Sequence, residues 1–251
     1  MPDQPPYLRI ADVLRERIAN GEWVPGDRLP SRADLGQEYG VGDNVIRRAQ
    51  ELLISLGTLE GRAGSGTYVA EPRKRLRIVR SIFREQAGGS PFAADMAALG
   101  KRGTWESRTD AKIPAPVEIA ARLGIAEGEL CVRTAYEFLA DGKPVQLSTS
   151  WEPYALTGGT LVVLPEGGPH GGIGVVRRMA EIGITITRAV EQPSPRTVTA
   201  EEAGLLGVQK GTLVTHIVRT YYAEDGRPVE TADIVVPAGL CEIVYEVPVN
   251  S

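Results

Sequence analysis

The sequence has few of the residues on which metal and disulfide-bonded proteins depend. Of its 251 residues, two are cysteines, Cys131 and Cys241, and two are histidines, His170 and His216. Two lone cysteines and two distant histidines form neither a disulfide framework nor a metal-ligand cluster. We therefore expect no metal, no cofactor and no catalytic set, and cysteines that stay reduced, as they do in the cytoplasm.

Long apolar runs are also scarce. The longest, such as Leu161–Leu164, are far shorter than the ~20 residues of a membrane-spanning helix. The N-terminus lacks the basic and apolar regions of a signal peptide, so we expect a cytoplasmic protein without a membrane partner. Since 42% of the residues are hydrophobic and 24% charged, the chain should still bury a core, in one large or two small domains.

The net charge of −4 is the sum of two unlike parts. Residues 1–84 contain 14 Lys and Arg against 11 Asp and Glu, a net charge of +3. Residues 85–251 contain 14 against 21, a net charge of −7. A weakly basic head on an acidic body is typical of a nucleic-acid-binding domain joined to a domain with another task.

Three helices are predicted in the basic part. Tyr7, Ile10, Leu14 and Ile18 recur at helical spacing, which predicts a helix from about residue 7 to residue 20. After the turn at residues 25–26, Ser31 is a suitable N-cap for a second short helix. A third helix is predicted from about residue 43 to residue 55, ended by Gly57.

A glycine-rich hairpin follows the third helix. Two strand-like pieces, residues 58–60 and 67–70, flank the loop of residues 61–66, which contains three glycines. Two short helices, a turn and such a hairpin predict a winged helix-turn-helix, which holds a helix in the DNA major groove. The basic residues of the following linker, residues 73–90, fit either a solvated connection or one that lies near DNA phosphates.

The acidic part contains an internal repeat. Leu123-Gly124-Ile125 is echoed by Leu206-Gly207-Val208, and the Asp141-Gly142 turn is echoed by Asp225-Gly226. Each copy predicts a helix, a strand, an Asp-Gly hairpin and a second strand, with one more helix between the copies at about residues 173–182. The fold class is therefore α+β, with a mostly antiparallel sheet in residues 91–251.

These motifs closely resemble the GntR family of bacterial transcriptional regulators over residues 5–71. The resemblance lies in the order of spaced elements, in particular Pro25-Gly26, Leu29-Pro30-Ser31-Arg32 and Gly64-x-Gly66-Thr67-Tyr68-Val69. Residues 85–249 resemble the UTRA effector domain of the HutC subfamily, which has a chorismate-lyase-like fold. The resemblance implies a homodimeric, ligand-responsive regulator, usually a repressor, with DNA-binding residues 1–72 and an effector-binding and dimerisation domain at residues 91–251.

The family resemblance also implies which residues contact the operator. In the family these are the arginine of the Leu-Pro-Ser-Arg turn, the start of the third helix and the wing glycine. To these we add Arg48, which is adjacent to Arg47 on the helix, and residues that flank the turn and the wing. The predicted DNA-contact set is Ser31, Arg32, Asp43, Asn44, Arg47, Arg48, Arg62 and Gly64.

The third helix departs from the family pattern at its start. It opens with Gly42-Asp43 where Ser/Thr-Arg is usual, and Val45 stands where Thr is common. Asp43 could accept a hydrogen bond from cytosine N4, or it could cap the helix. In either case the usual family operator is not expected.

The ligand site departs from the family as well. Members that bind phosphosugars use arginines where this chain has Tyr136 and Phe138, so a phosphate clamp is not expected there. An apolar or aromatic effector, or none, fits better. The predicted effector-binding residues are Tyr136, Ser148, Arg177, Tyr222 and Glu230.

Two other functions fit parts of the sequence. One is a lyase in the second domain that needs only positioning arginines, although no nucleophile, base and orienting group occur together. The other is a DNA-binding repressor without a small effector, since the second half, from Gly172–Val175 through Arg219–Tyr222, resembles actinobacterial members of the subfamily that include repressors of plasmid transfer. A regulator and not an enzyme is the leading prediction.

Overall fold

The computed structural model describes residues 4–62, 64–71, 75–80 and 89–247. The chain divides into two compact units, Met1–Lys74 and Arg75–Ser251. Several basic residues of the predicted linker, Arg73, Lys74 and Arg84, lie outside the described residues. Within the described ranges, none of the helices has the length and apolar character required to cross a membrane.

The first unit contains the three helices and the hairpin that the sequence predicts. Leu14, Leu35, Ile46 and Leu53 are buried where the helices meet, and Leu59 and Val69 of the hairpin join the same core. The elements are α1 (Pro6–Ala19), α2 (Arg32–Tyr39), α3 (Asp43–Ser55), β1 (Leu59–Arg62) and β2 (Gly66–Val69).

The segment before α2 is held against the hairpin by backbone hydrogen bonds. The amides of Gly26 and Leu29 donate to the carbonyls of Val69 and Thr67 at 3.0 and 2.9 Å, and the Val69 amide donates to Asp27 at 2.8 Å. The proline-framed turn therefore lies along the β1–β2 hairpin like a third strand. This contact fixes the point where α2 begins.

The start of α2 is capped as the sequence predicts. Ser31 Oγ accepts a hydrogen bond from the Asp34 amide at 3.2 Å, and the Asp34 carboxylate accepts one from the Ser31 amide at 3.2 Å. This reciprocal pair is a capping box, which satisfies two amides that the helix itself leaves without partners.

Replacing Ser31 by alanine is expected to lower the free energy of unfolding of the first unit by about 1 kcal/mol, because one cap is lost. Urea unfolding followed by circular dichroism measures the change. Ser55→Ala is the matched control, since Ser55 is exposed in the last turn of α3 and its hydroxyl donates to the Leu52 carbonyl of the same helix. Equal midpoints for the two variants would contradict the role of the cap.

The second unit is built on a six-stranded antiparallel sheet in the order β4-β5-β6-β9-β8-β7, and a separate parallel pair joins β3 to β10. Its strands are β3 (Leu76–Arg80), β4 (Gly103–Pro114), β5 (Leu130–Ala140), β6 (Lys143–Pro153), β7 (Ile186–Thr197), β8 (Leu213–Ala223), β9 (Pro228–Pro237) and β10 (Cys241–Tyr245). Its helices are α4 (Pro91–Ala98), α5 (Val117–Leu123), α6 (Tyr154–Thr157), α7 (Val175–Ala180) and α8 (Ala200–Leu206).

The internal repeat is visible in this sheet. Strands β4, β5 and β6 with α5 form one half, and β7, β8 and β9 with α8 form the other, so that β6 and β9 pair at the centre. Gly124 and Gly207 end the two helices with the same left-handed backbone, φ 63° and ψ 31°. The predicted α+β class and mostly antiparallel sheet are confirmed.

Four strands of the second unit were not predicted, namely β3, β4, β7 and β10. Each half of the sheet begins with a long outer strand, β4 or β7. Strand β7 contains Pro193 and Pro195, and proline ordinarily argues against a strand. An edge strand tolerates proline because the backbone groups on its outer side have no neighbouring strand to which a missing N–H would have to donate. The prediction of a linker throughout residues 73–90 was wrong at Leu76–Arg80, where β3 pairs with β10.

Candidate nucleic-acid interface and ligand cavity

One face of α3 is exposed and polar. Ile46, Ala49 and Leu53 pack into the core. The side chains three and four residues apart on the opposite face lie in solvent, namely Asp43, Asn44, Arg47 and Arg48. A helix anchored on one side with hydrogen-bonding side chains on the other can enter a major groove.

Asp43 does not cap α3, so that alternative was wrong. The N-cap is Gly42, which has extended backbone angles and no side chain to accept a hydrogen bond. Asp43 is the first helical residue, one position too late for capping. Its carboxylate instead lies 3.6 Å from Arg32 Nε, where it links the starts of α2 and α3.

The two arginines of α3 have different surroundings. Arg47 Nη1 donates to Glu51 Oε1 at 2.7 Å, in a solvent-exposed pair one turn apart. Such pairs contribute about 0.3–0.5 kcal/mol, so Arg47 can leave Glu51 for a base or a phosphate at little cost. Arg48 lies with its guanidinium carbon 4.2 Å from the ring centroid of Tyr7, a cation–π contact with α1.

The wing has an open glycine and a stacked arginine. A side chain added at Gly64, where φ is +71°, would meet nothing within 4 Å. Arg62 lies opposite Gly66 in the hairpin, bonds to Glu60 at 2.7 Å and lies 4.1 Å above the Tyr68 ring.

Arg28, in the segment before α2, lies against the wing and is not in the predicted DNA-contact set. Its Nε would be only 2.9 Å from a Cβ at Gly66, and φ of Gly66 is +120°, so this position requires glycine. Arg28 pairs with Tyr68 in an isolated bridge. The loop-to-wing contact that places it there joins segments about forty residues apart, and nothing in the local sequence indicates it.

The second unit contains a cavity of about 100 Å³. Residues from the central strands, from α4 and α7, and from the loop between α6 and α7 line it. Its aromatic wall consists of Phe92, Trp105, Tyr136, Phe138 and Tyr221. The Phe92 and Phe138 rings lie 4.8 Å apart between centroids, and those of Tyr136 and Phe138 lie 5.5 Å apart.

Three arginines also line the cavity, and each is held by a glutamate. Arg80 bonds Glu191 through Nε at 2.7 and 2.9 Å. Arg178 bonds Glu152 through one terminal nitrogen and the Val162 carbonyl through the other, at 2.6 Å. Arg219 Nη2 donates to Glu230 Oε1 at 2.9 Å.

The surroundings shift the ionisation of the cavity wall. Burial raises the pKa of Glu230 to about 7, and the Arg219 guanidinium offsets only part of that effect. Burial also opposes ionisation of Glu191, but the hydrogen bonds from Arg80 outweigh it and hold the Glu191 pKa below its ordinary value. Burial likewise raises the pKa of the Tyr136 phenol, which stays neutral.

Three of the five predicted effector-binding residues line the cavity: Tyr136, Ser148 and Glu230. Arg177 is exposed, and the buried cavity residue is its neighbour Arg178. Tyr222 stacks on Arg188 at 4.0 Å, while Tyr221 lines the cavity. Each of these two predicted residues is one position away from a residue that lines the cavity, and one position turns a side chain by about 100° on a helix and to the opposite face on a strand.

The comparisons with known proteins match both units. Residues 6–69 match the bacterial regulatory proteins of the gntR family, and residues 98–239 match the UTRA domain. The chain is therefore a transcriptional regulator with a DNA-binding head and a UTRA domain. It belongs to the GntR family, and it has the domain combination of the HutC subfamily that the resemblance implied.

Relatives match over nearly the whole chain. The HTH-type transcriptional regulator SCO4628 of Streptomyces coelicolor is 32% identical over 95% of this chain and 90% of its own length. The HTH-type transcriptional repressor NagR of Bacillus subtilis is 30% identical over 92% of this chain and 90% of its own length. The crystal structure of a GntR-family transcriptional regulator is 45% identical, covers 98% of this chain and 99% of that chain, and has a TM-score of 0.80.

Family membership also decides between regulator and enzyme. The relatives named above are regulators, and the UTRA match covers the part of the chain in which a lyase activity was the alternative. The prediction of a regulator and not an enzyme is confirmed.

Proposed function

We propose that this chain is a repressor that binds a palindromic operator as a homodimer and responds to a small ligand in its UTRA domain. The observation that carries the proposal is the exposed polar face of α3, with Asn44 and Arg47 in the middle of that face. In this proposal residues 1–72 bind DNA, and residues 91–251 bind the effector and form the dimer. The protein acts in the cytoplasm, on the nucleoid when it is bound to DNA.

The chemistry of each predicted contact supports a particular role. Arg47 can pair bidentately with guanine O6 and N7, and Asn44 can pair with adenine. Ser31 and Arg32 at the start of α2 suit phosphate binding, and Arg32 is oriented by its ion pair with Asp43. The open tip at Gly64 fits a narrow minor groove, and two arginines lie near the tip, Arg62 opposite Gly66 in the hairpin and Arg28 beside Gly66.

Asp43 gives this member its own base preference. Its carboxylate accepts hydrogen bonds only, so it favours cytosine N4 and disfavours the acceptor atoms of guanine. Arg32 partly neutralises it, which lowers the repulsion between Asp43 and the phosphates.

The proposed role as a repressor is supported by two relatives that are named as repressors. NagR of Bacillus subtilis and the mannosyl-D-glycerate system repressor MngR of Escherichia coli, 29% identical over 92% of this chain, are both repressors. A ligand that prefers one of two dimer conformations would shift the population between DNA-competent and incompetent states. A tenfold change in operator affinity requires about 1.4 kcal/mol of coupling.

The dimer is tested by stoichiometry. Light scattering during size-exclusion chromatography of the full chain is expected to give twice the mass of 27.0 kDa. Titration of an operator fragment recovered by footprinting is expected to saturate at two chains per duplex. A monomer in solution that saturates the same fragment at one chain would contradict the proposal.

A further inference from the structure

Two buried acceptor atoms of the cavity wall have no partner among the described residues. They are Oε2 of Glu230 and Oε1 of Gln146. Glu230 is fully buried and Gln146 is 4% exposed, so bulk water does not solvate them well. A buried acceptor without a donor costs about 1–3 kcal/mol, more if it is charged. Both atoms belong to residues that line the cavity, where a donor on a ligand would satisfy them.

Among the described residues, the ionisable groups around the cavity carry an excess of negative charge once Glu230, whose pKa is about 7, is ionised. Arg80, Arg178 and Arg219 line the cavity, against four glutamates that line it or bind those arginines, namely Glu152, Glu166, Glu191 and Glu230. With all seven groups ionised the net charge is −1, three positive against four negative charges. A third buried oxygen, Glu152 Oε2, is also without a partner in the described ranges, and it belongs to the carboxylate that pairs with Arg178.

The remaining wall of the cavity suits a cation as well. The Phe138 ring stacks nearly parallel to the Tyr136 ring and is tilted against the Phe92 ring, and an aromatic face attracts a positive charge within about 6 Å. Trp105 is fixed by the hydrogen bond from its Nε1 to Glu166 Oε2 at 2.9 Å. Aromatic faces beside unpaired carboxylate oxygens are the usual surroundings of a bound ammonium group.

We infer that the effector of this cavity is a small organic cation, an ammonium or amidinium group on an apolar or aromatic body, whose N–H groups donate to Glu230 Oε2 and Gln146 Oε1. This inference rests on the proposed effector role of the cavity. The cation neutralises the excess charge and supplies the missing donors, while its apolar body packs on the aromatic wall.

An anionic effector fits the same wall poorly. It would add a fifth negative charge and would have to draw an arginine away from the glutamate that holds it. That glutamate would then be buried without a partner, which is a large cost in a site that excludes water. The unsatisfied carboxylate and amide oxygens would stay unsatisfied, since an anion without N–H or O–H groups donates nothing.

The test compares matched probes of different charge on the full chain. Isothermal titration at pH 8 is carried out with phenethylamine, benzamidine and cyclohexylamine, with the neutral 2-phenylethanol, and with the anions phenylacetate and inorganic phosphate. At least one amine or amidine is expected to bind at least tenfold more tightly than the alcohol and the anions. Binding by an anion in preference to all three cations, or no binding by any cation, would overturn the inference.

Variants of the cavity residues show where the charge of the bound cation lies. Glu230→Gln is expected to weaken the bound cation at least tenfold, and Gln146→Leu to weaken it severalfold. Glu224→Gln, an exposed glutamate in the β8–β9 hairpin outside the cavity, serves as the control and should change nothing. Unchanged affinity in both cavity variants would place the cation elsewhere and overturn the inference.

The wild-type chain gives a readout that does not depend on the folding of any variant. Glu230 has a pKa of about 7, and the charged groups that act on it are Arg219 of β8, Glu152 of β6 and Arg178 of α7. Its ionised form should bind the cation, so affinity should rise about tenfold from pH 6 to pH 8, while the probe stays protonated. A flat pH profile, or one that falls over this range, would contradict the assigned partner.

Operator binding by the same preparation separates the two proposals. If the protein binds its operator but no cation, only the cation inference fails. If an anion binds in the cavity and releases DNA, the ligand-responsive repressor stands and the cation inference fails. If no operator is bound under any condition, the proposed function itself fails.

Discussion

Replacing Arg178 by methionine is expected to lower the free energy of unfolding of the second unit by about 3–5 kcal/mol. Arg178 and Glu152 are each 1% exposed, and Arg178 also donates to the Val162 carbonyl at 2.6 Å. The variant leaves the Glu152 carboxylate buried without its cation and the Val162 carbonyl without its donor. Breaking one side of a buried ion pair costs far more than removing both sides.

Urea unfolding followed by tryptophan fluorescence measures this loss. In a Trp23→Phe background the remaining tryptophans, Trp105 and Trp151, both report on the second unit. The control is Arg177→Met, which removes an exposed arginine one residue away and should change the free energy by less than about 0.5 kcal/mol.

The double variant Arg178→Met with Glu152→Gln separates charge from packing. Removing both charges should restore much of the lost stability, because no uncompensated ion then remains in the interior. If Arg178→Met and Arg177→Met unfold at the same urea concentration, the buried pair does not have the role assigned to it here.

Replacing Arg47 by alanine is expected to weaken operator binding by about 1–3 kcal/mol, roughly fivefold to 150-fold. Arg47 is exposed in the middle of the polar face of α3, and its bond to Glu51 costs little to break. Fluorescence anisotropy with a labelled operator at fixed ionic strength measures the change. Wild-type affinity should itself fall steeply with salt, because phosphate contacts release counterions.

The matched control is Arg15→Ala, an exposed arginine of α1 in an ion pair with Asp12. It removes the same charge from the same unit, so a purely electrostatic effect would weaken both variants equally. A loss of discrimination against point changes in one base pair would identify Arg47 as a base contact. A reduction of the salt slope by about 1 would identify a phosphate contact. Unchanged binding by Arg47→Ala would contradict the interface.

The first unit was largely predictable because its signals are local. Helical spacing of apolar residues, a serine cap three residues before Asp34 and glycines at the wing depend on near neighbours in sequence, and each is present in the structure. Asp43 was less predictable, because capping or pairing depends on which residue first adopts helical backbone angles. Its partner Arg32 belongs to another helix.

The second unit was predictable in outline only. The two Asp-Gly hairpins gave the central strands, but the outer strands have proline and charged residues that an edge position tolerates. The cavity was less predictable still. Arg80 and Glu191 are 111 residues apart, and their pairing follows from the β3–β10 ladder and the sheet order, which have no local signal.

The central claim is that α3 of a dimer reads a specific operator, and footprinting of the full chain across the genomic DNA of its source organism tests it most directly. The protected sites are expected to share an inverted repeat, with half-site centres about 34 Å, one helical turn, apart. Arg47→Ala is expected to lose these sites while Arg15→Ala keeps them. Protection without a shared sequence, or the same sites protected by both variants, would contradict the claim.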